Sequence, residues 1–240
     1  MNQNAGSHSH HISQQFNQEL EEVKSHMLEM GGMVEKLIVD ALDAIINADS
    51  GLGEQVREAD DDIDAREISI DQSCNRILAR RQPAASDLRL ILGIIKTVRD
   101  LERIGDETSK IAKMAVKLSE QGESSKGYTQ VRHIGERVRK MVHMALDAFA
   151  RSDVDTALSV AQEDVNVDME YDTAMREMVT HMMEDPRSIS RVLNIMWALR
   201  ALERIGDHAK NICEHVVYLV KGTDVRHTDL SDVIDEIGRN

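Results

Sequence analysis

The hexapeptide LERIGD occurs twice in this chain, at Leu101–Asp106 and again at Leu202–Asp207. An identical string at matching places in two stretches of helical pattern points to an internal duplication. That constrains the fold more than any composition does, because whatever the first copy builds, the second builds again. The match extends well beyond the hexapeptide. Ala41–Ala44 returns as Ala145–Ala148, 104 positions later, and Val34, Lys36 and Asp49 return as Val138, Lys140 and Asp153 at the same offset. Asp60 and Asp64 return as Asp164 and Asp168, still 104 apart, whereas Pro83 and Pro186 differ by 103 and the hexapeptides by 101. The second copy is thus shorter by about three residues around its second turn. A period of roughly 100 residues is longer than that of solenoid repeats, so each copy reads as a small bundle of its own.

Apolar residues recur at helical spacing from Ile12 to Ala48, with Leu20, Val23, Met27, Met30, Val34, Leu37, Ile38, Ala41, Leu42 and Ile45 on one face. Asp49-Ser50-Gly51 carries turn chemistry. A second helix is predicted over 52–79, a break at Gln82-Pro83 and a third helix over 84–118. The pattern then restarts after a Gly/Ser-rich stretch, with helices over 129–150, 153–183 and 188–220 and a break at Asp185-Pro186. The expectation is an all-α protein of two tandem three-helix bundles related by internal duplication, residues 13–119 and 128–221. A linker spans 120–127, a flexible tail 1–12 and a polar tail 222–240. At ~1.5 Å per residue each bundle is about 40–50 Å long.

Aromatic residues make up only 2% of the chain and charged residues 30%, which suits helices and disfavours an all-β fold. The net charge of −14 argues against nucleic acid as a partner, since phosphate contacts need clustered Lys and Arg. Cys74 and Cys213 are distant and stand in apolar helical contexts, as buried reduced thiols do, so no disulfide framework is expected. No apolar run reaches 18 residues and the polar opening lacks the core of a signal peptide, so the expected location is the cytoplasm. His8, His10 and His11 could bind a transition metal, although a mobile terminus explains them as well. The thirteen Met residues fall mostly at apolar helical positions and read as core filler.

No phosphate-binding glycine loop, nucleophile elbow or HExxH zinc motif is present, and neither is the Glu-x-x-His of di-iron bundles. An enzyme is therefore not expected. The positive signal is carboxylate pairing. Glu102/Asp106 and Glu203/Asp207 are spaced i,i+4, as are Asp60/Asp64 and Asp164/Asp168 on the preceding helix of each copy. Like charges at that spacing weaken a helix by roughly 0.2–0.5 kcal/mol, and a hard cation would reverse the sign. Two readings stand side by side. In one, these are solvated faces with Arg103 and Arg204 bridging to Asp106 and Asp207. In the other they are cation ligands, a reading favoured by duplication of both pairs while Glu107, Thr108 and Ser109 diverged to His208, Ala209 and Lys210. Glu67/Asp71 has the same spacing but no acidic counterpart. Gly105 and Gly206, inside a helix, imply close approach of another backbone or a ligand. His208 follows Asp207 and could join a metal shell, although a surface residue explains it better, and Trp197 reads as a core or bundle-edge residue.

The two ERIGD strings, the segment Gln82–Arg89 (QPAASDLR), the opening His11–Leu20 (HISQQFNQEL), the run Glu203–Glu214 (ERIGDHAKNICE) and the closing Lys221–His227 (KGTDVRH) resemble the PhoU family of phosphate-uptake regulators. The resemblance covers roughly residues 11–227. It implies tandem three-helix bundles and a cytoplasmic, non-enzymatic repressor of phosphate-starvation genes. The partners it implies are the ATPase subunit of a phosphate ABC transporter and a sensor histidine kinase, with membrane association only through them. It also implies binding of Mg, Mn, Zn or Fe by E(D)xxxD motifs, which fall here on Glu102, Asp106, Glu203 and Asp207, with Asp60, Asp64, Asp164 and Asp168 completing the set. A homodimer is expected from the exposed apolar faces of paired bundles. The competing reading is a metal store or metal-dependent enzyme of the bundle type.

Overall fold

A computed structural model describes residues 4–121 and 128–225, with side chains from Gln14 on. Six helices follow in order: α1 (Asn4–Asn47), α2 (Ser50–Arg81), α3 (Ala85–Ser119), α4 (Tyr128–Arg151), α5 (Val154–Glu184) and α6 (Ile189–Lys221). No strand occurs among the described residues. The helix starts at Asn4, well inside the stretch read as a tail, because nothing between Asn4 and Ile12 forbids helical φ and ψ. The metal reading of His8, His10 and His11 concerns side chains outside the described set, as does most of the 120–127 linker. The polar tail is corrected at one point. Val225 is buried, packed with Val217 against Val154 and Leu158.

The duplication repeats down to the turns. Ala48 and Ser152 adopt left-handed backbone, φ 53° and 55°. The Asp49 N–H donates to the Ala44 carbonyl and the Asp153 N–H to the Ala148 carbonyl, both at 2.9 Å, the closing bond of a Schellman cap. The same two aspartates then cap the next helix, Asp49 accepting from the Leu52 N–H at 2.9 Å and Asp153 from the Thr156 N–H at 3.1 Å. At the second turn the copies differ. α2 ends on left-handed Gln82, whereas Asp185 accepts from the Arg187 N–H and opens a single 3-10 turn over Pro186–Ser188. This is where the shorter second copy loses its residues.

The bundles, α1–α3 and α4–α6, do not stand apart on a tether. One continuous apolar core runs from Leu20 to Val216 through both. They meet through two antiparallel pairs. Along α3·α6, Arg89 faces Leu219, Asp100 faces His208 and His215, Glu107 faces Arg204, and Gln121 faces Ser190. Along α1·α4 the contacts are reciprocal. A Cβ on Gly31 would lie 2.7 Å from Leu146 Cδ1, and one on Gly135 would press still harder on Leu42. Gly31 and Gly135 are 104 positions apart, as are Leu42 and Leu146, so each copy offers the other a glycine hollow and a leucine to fill it.

Candidate functional site

In the first bundle Asp60 and Asp64 on α2 face Glu102 and Asp106 on α3. Gly105 is what allows this approach, because a Cβ there would lie 2.9 Å from Asp60 Oδ1 and 3.4 Å from Ile63 Cγ2. Half-buried among like charges, the acids repel one another. Burial and then the Asp106 charge push the Asp60 carboxyl up to about 6, against a hydrogen bond from the Ser109 hydroxyl. Burial, Asp106 and Glu67 raise Glu102, and burial, Asp71 and Asp64 raise Glu67. Glu67 therefore belongs to the cluster, although it lacks a duplicated counterpart. Asp71 is raised by burial, and its Oδ1 is buried without a hydrogen-bond partner.

The second cluster uses Asp164 and Asp168 on α5 with Glu203 and Asp207 on α6. Asp164 is 1% exposed; Lys210 Nζ donates to its Oδ2 at 2.8 Å, and its Oδ1 has no partner. Burial and Asp164 raise Asp207, against Lys210; burial, Asp164 and Asp207 raise Asp168. Burial and Asp207 raise Glu203, whose Oε1 accepts from Arg200 while Oε2 is buried without a partner. A Cβ on Gly206 would meet Asp164 Oδ1 at 3.5 Å and Val167 Cγ1 at 3.6 Å, ordinary contact. The close approach inferred for both glycines thus holds at Gly105 alone. The copies differ most at one aligned position, Ser109 in the first and Lys210 in the second. The first cluster is left with a hydroxyl, while the second holds a fixed ammonium.

Neither Arg–Asp bridge read from the sequence forms. Arg103 Nε lies 3.5 Å from Glu102, and Arg204 crosses to Glu107 of α3 at 2.7 Å, where Lys110 also pairs at 3.0 Å. Each Arg is engaged by a glutamate instead of the Asp three residues on. His208 is not a surface residue either. With Asn211 and the buried His215 it surrounds Asp100 of α3, His208 Nδ1 at 2.9 Å, Asn211 Nδ2 at 3.1 Å and His215 Nε2 at 2.8 Å. Burial pushes the Asp100 carboxyl up, yet these hydrogen bonds outweigh it and hold it at about 2. Pattern reading missed this network, since Asp100 has no acidic counterpart in the second copy, where Ala201 stands. Trp197 is 65% exposed, outside the core. Both cysteines are buried free thiols, Cys74 pushed up to about 12 by burial and Cys213 raised as well, so neither is a ready nucleophile.

Among the described residues no three His, Cys, Asp or Glu side chains are gathered closely enough to hold a metal ion as they stand. The donor chemistry nevertheless suits a hard cation. It is all carboxylate oxygen, partly desolvated, mutually repelling and supplied with buried oxygens that lack partners. No described helix is long and apolar enough to cross a membrane.

The PhoU domain matches the chain twice, over residues 27–115 and 131–216. A phosphate-specific transport system accessory protein PhoU homolog from Pseudomonas aeruginosa is 66% identical over 99% of this chain and 98% of its own length. The phosphate-specific transport system accessory protein PhoU of Escherichia coli is 45% identical over 95% and 93%. Among solved structures, PhoU from Pseudomonas aeruginosa superimposes with a TM-score of 0.85 at 68% identity, covering 87% of this chain and all of that one. The phosphate transport system regulatory protein PhoU from Streptococcus pneumoniae does so at 0.81 and 32%, covering 88% and 99%. With both bundles matched and both copies of the acidic motif in place, the chain belongs to the PhoU family.

Proposed function

We propose that this protein is a regulatory accessory protein of a phosphate-specific transport system. In this reading it acts in the cytoplasm, without catalysis, to restrain phosphate uptake and phosphate-starvation genes when phosphate is plentiful. It links the ATPase subunit of the transporter to a sensor histidine kinase, works as a homodimer and reaches the membrane only through those partners. The observation that carries the reading is the two-thirds identity, over nearly the whole length of both chains, to proteins that bear the accessory-protein name. The test is deletion of the gene with a reporter on a phosphate-starvation promoter. High reporter activity in phosphate-rich medium, restored to low by the wild-type gene, supports the reading; unchanged repression in the deletion strain overturns it.

Within this reading the acidic clusters are cation sites. Glu102, Asp106, Asp60 and Asp64 would hold an ion in the first bundle, and Glu203, Asp207, Asp164 and Asp168 in the second. A bound Mg, Mn, Zn or Fe ion would supply the positive charge that offsets the repulsion among them. The chain's own part is to keep these oxygens half-desolvated on two rigid helices, with Gly105 setting the α2–α3 distance. Elemental analysis of the purified protein, and of the variant with Glu102, Asp106, Glu203 and Asp207 all changed to Ala, reads this directly. Metal content should fall at least tenfold, and equal content in the two proteins removes the site assignment.

A further inference from the structure

The second bundle carries a basic face on a protein whose net charge is −14. α4 bears Arg132, Arg137, Arg139, Lys140 and Arg151 against Glu136 and Asp147. Arg132, His133, Arg139, Lys140 and His143 are exposed and extend over about 17 Å of the helix. The fold does not demand them. The same positions of the first copy, 104 residues earlier, hold Leu28, Glu29, Glu35, Lys36 and Val39. The rest of the chain leaves most of them unneutralised. Arg132 and Arg139 form no ion pair among the described residues, and Lys140 has only a longer-range attraction to Glu163. Arg137 is tied down between Glu163 and, at 2.8 Å, Glu170, and His143 lies 2.7 Å from Glu35 of α1.

Beside this stripe lies a trough between α4 and α5. One end, about 600 Å³, has Ile134 and Ala174 in its lining and Met169, 57% exposed, at its lip. The other, about 560 Å³, opens under Arg139, Lys140 and His143. The two hollows share His133, Arg137 and Glu170, so they are the two ends of one channel. One end offers the exposed apolar side chain of Met169 and the other Arg139 and Lys140, which form no close ion pair among the described residues.

We propose that this trough docks a segment of a partner protein that carries an apolar anchor followed by several carboxylates. The apolar residue sits against the exposed Met169, and the acids reach Arg139 and Lys140. Charge complementarity selects the occupant, since a strongly acidic molecule approaches another acidic chain productively through a basic face. Shape selects a peptide over a lipid surface. The site is concave, and Glu163, Glu170 and Glu177 project into it, where a bilayer cannot follow but a chain can thread between them.

The test places a photo-activatable residue at exposed His133 of the full-length protein in cells, with the same residue at Glu29 as the first-copy control. The captured peptide is sequenced by mass spectrometry. The expected product, at His133 only, is a protein segment with an apolar residue and at least three Asp or Glu within about ten positions. Arg139→Glu with Lys140→Glu should lower its yield at least fivefold while the circular dichroism melt is kept, and Arg139→Gln with Lys140→Gln is used if the reversal does not fold. Capture of a segment without acidic excess, capture of lipid, absence of any product, or a yield indifferent to both variants each overturns the proposal. The outcome separates this proposal from the adaptor reading. An acidic segment of a protein outside phosphate transport and signalling upholds the trough and counts against that reading, whereas a neutral segment of the transporter does the reverse.

Discussion

At the scale of single residues, the two copies of the acidic motif are not equivalent, and one aligned position accounts for most of the difference. Ser109 gives the first cluster a hydroxyl, and Lys210 gives the second an ammonium 2.8 Å from Asp164. The cost of crowded carboxylates is therefore concentrated in the first bundle, above all at Asp60. Its folded carboxyl is pushed up to about 6 from an ordinary aspartate value of 3.8, so the folded state holds the proton more tightly. The contribution of this group to stability then falls as pH rises through about 4 to 6. In metal-free buffer Asp60→Asn should stabilise the protein at pH 7 by about 1–2 kcal/mol after allowance for solvent screening, and by nothing below pH 4. Urea titrations at the two pH values decide it, and an equal gain at both would show that charge is not the cause. If the clusters are cation sites, Ser109→Lys should abolish the Mn-induced rise in melting temperature that the first bundle provides. Lys210→Ser should enlarge the total rise by opening the second; identical metal shifts in wild type and both variants would contradict this. The acidic pairs themselves were legible as repeated spacings in the sequence. The compensating lysine was visible only as a divergence, because its meaning lies in a distance across two helices.

At the scale of elements, the pattern of apolar residues located all six helices to within a few positions except the start of α1. It succeeded because each helix turns one uninterrupted face to the core and the breaks carry Pro or Asp. It could not see the left-handed residues, since Ala48 and Ser152 are not the glycines that such a conformation favours. That mismatch is a stored cost. Ala48→Gly and Ser152→Gly should each raise stability by about 1 kcal/mol, read as a shift of the urea midpoint at unchanged slope. Asp49→Ala should lower it by about 1 kcal/mol through loss of the α2 cap. A destabilising Ala48→Gly would mean that the turn is held by something other than its backbone geometry. The reciprocal hollows at Gly31 and Gly135 escaped pattern reading for a related reason. The sequence shows a glycine within a helix, but not that a leucine 115 residues away in one case and 93 in the other must fit it.

At the scale of the whole molecule, tandem duplication read from sequence suggests two bundles that could fold separately, whereas the structure joins them through a single core. The α3·α6 seam sets Asp100 amid His208, Asn211 and His215, so a charge of the first copy is satisfied only by residues of the second. An acid held at about 2 when folded and near 3.8 when unfolded contributes stability that is complete above about pH 4 and is lost as pH falls toward 2. Asp100→Asn removes that contribution and puts an amide NH2 where one of the two histidines had a carboxylate oxygen. It should cost about 2 kcal/mol at pH 7. The deficit relative to wild type should shrink between pH 4 and 2, because wild type loses over that window what the variant already lacks. Calorimetry of both proteins reads the second consequence. With one core across the seam, wild type and Asp100→Asn should each unfold in a single transition whose calorimetric and van't Hoff enthalpies agree. Two resolved transitions in the variant would show that the seam is held mainly by the Asp100 network. Two in the wild type would show that the bundles are thermodynamically separate despite the shared core.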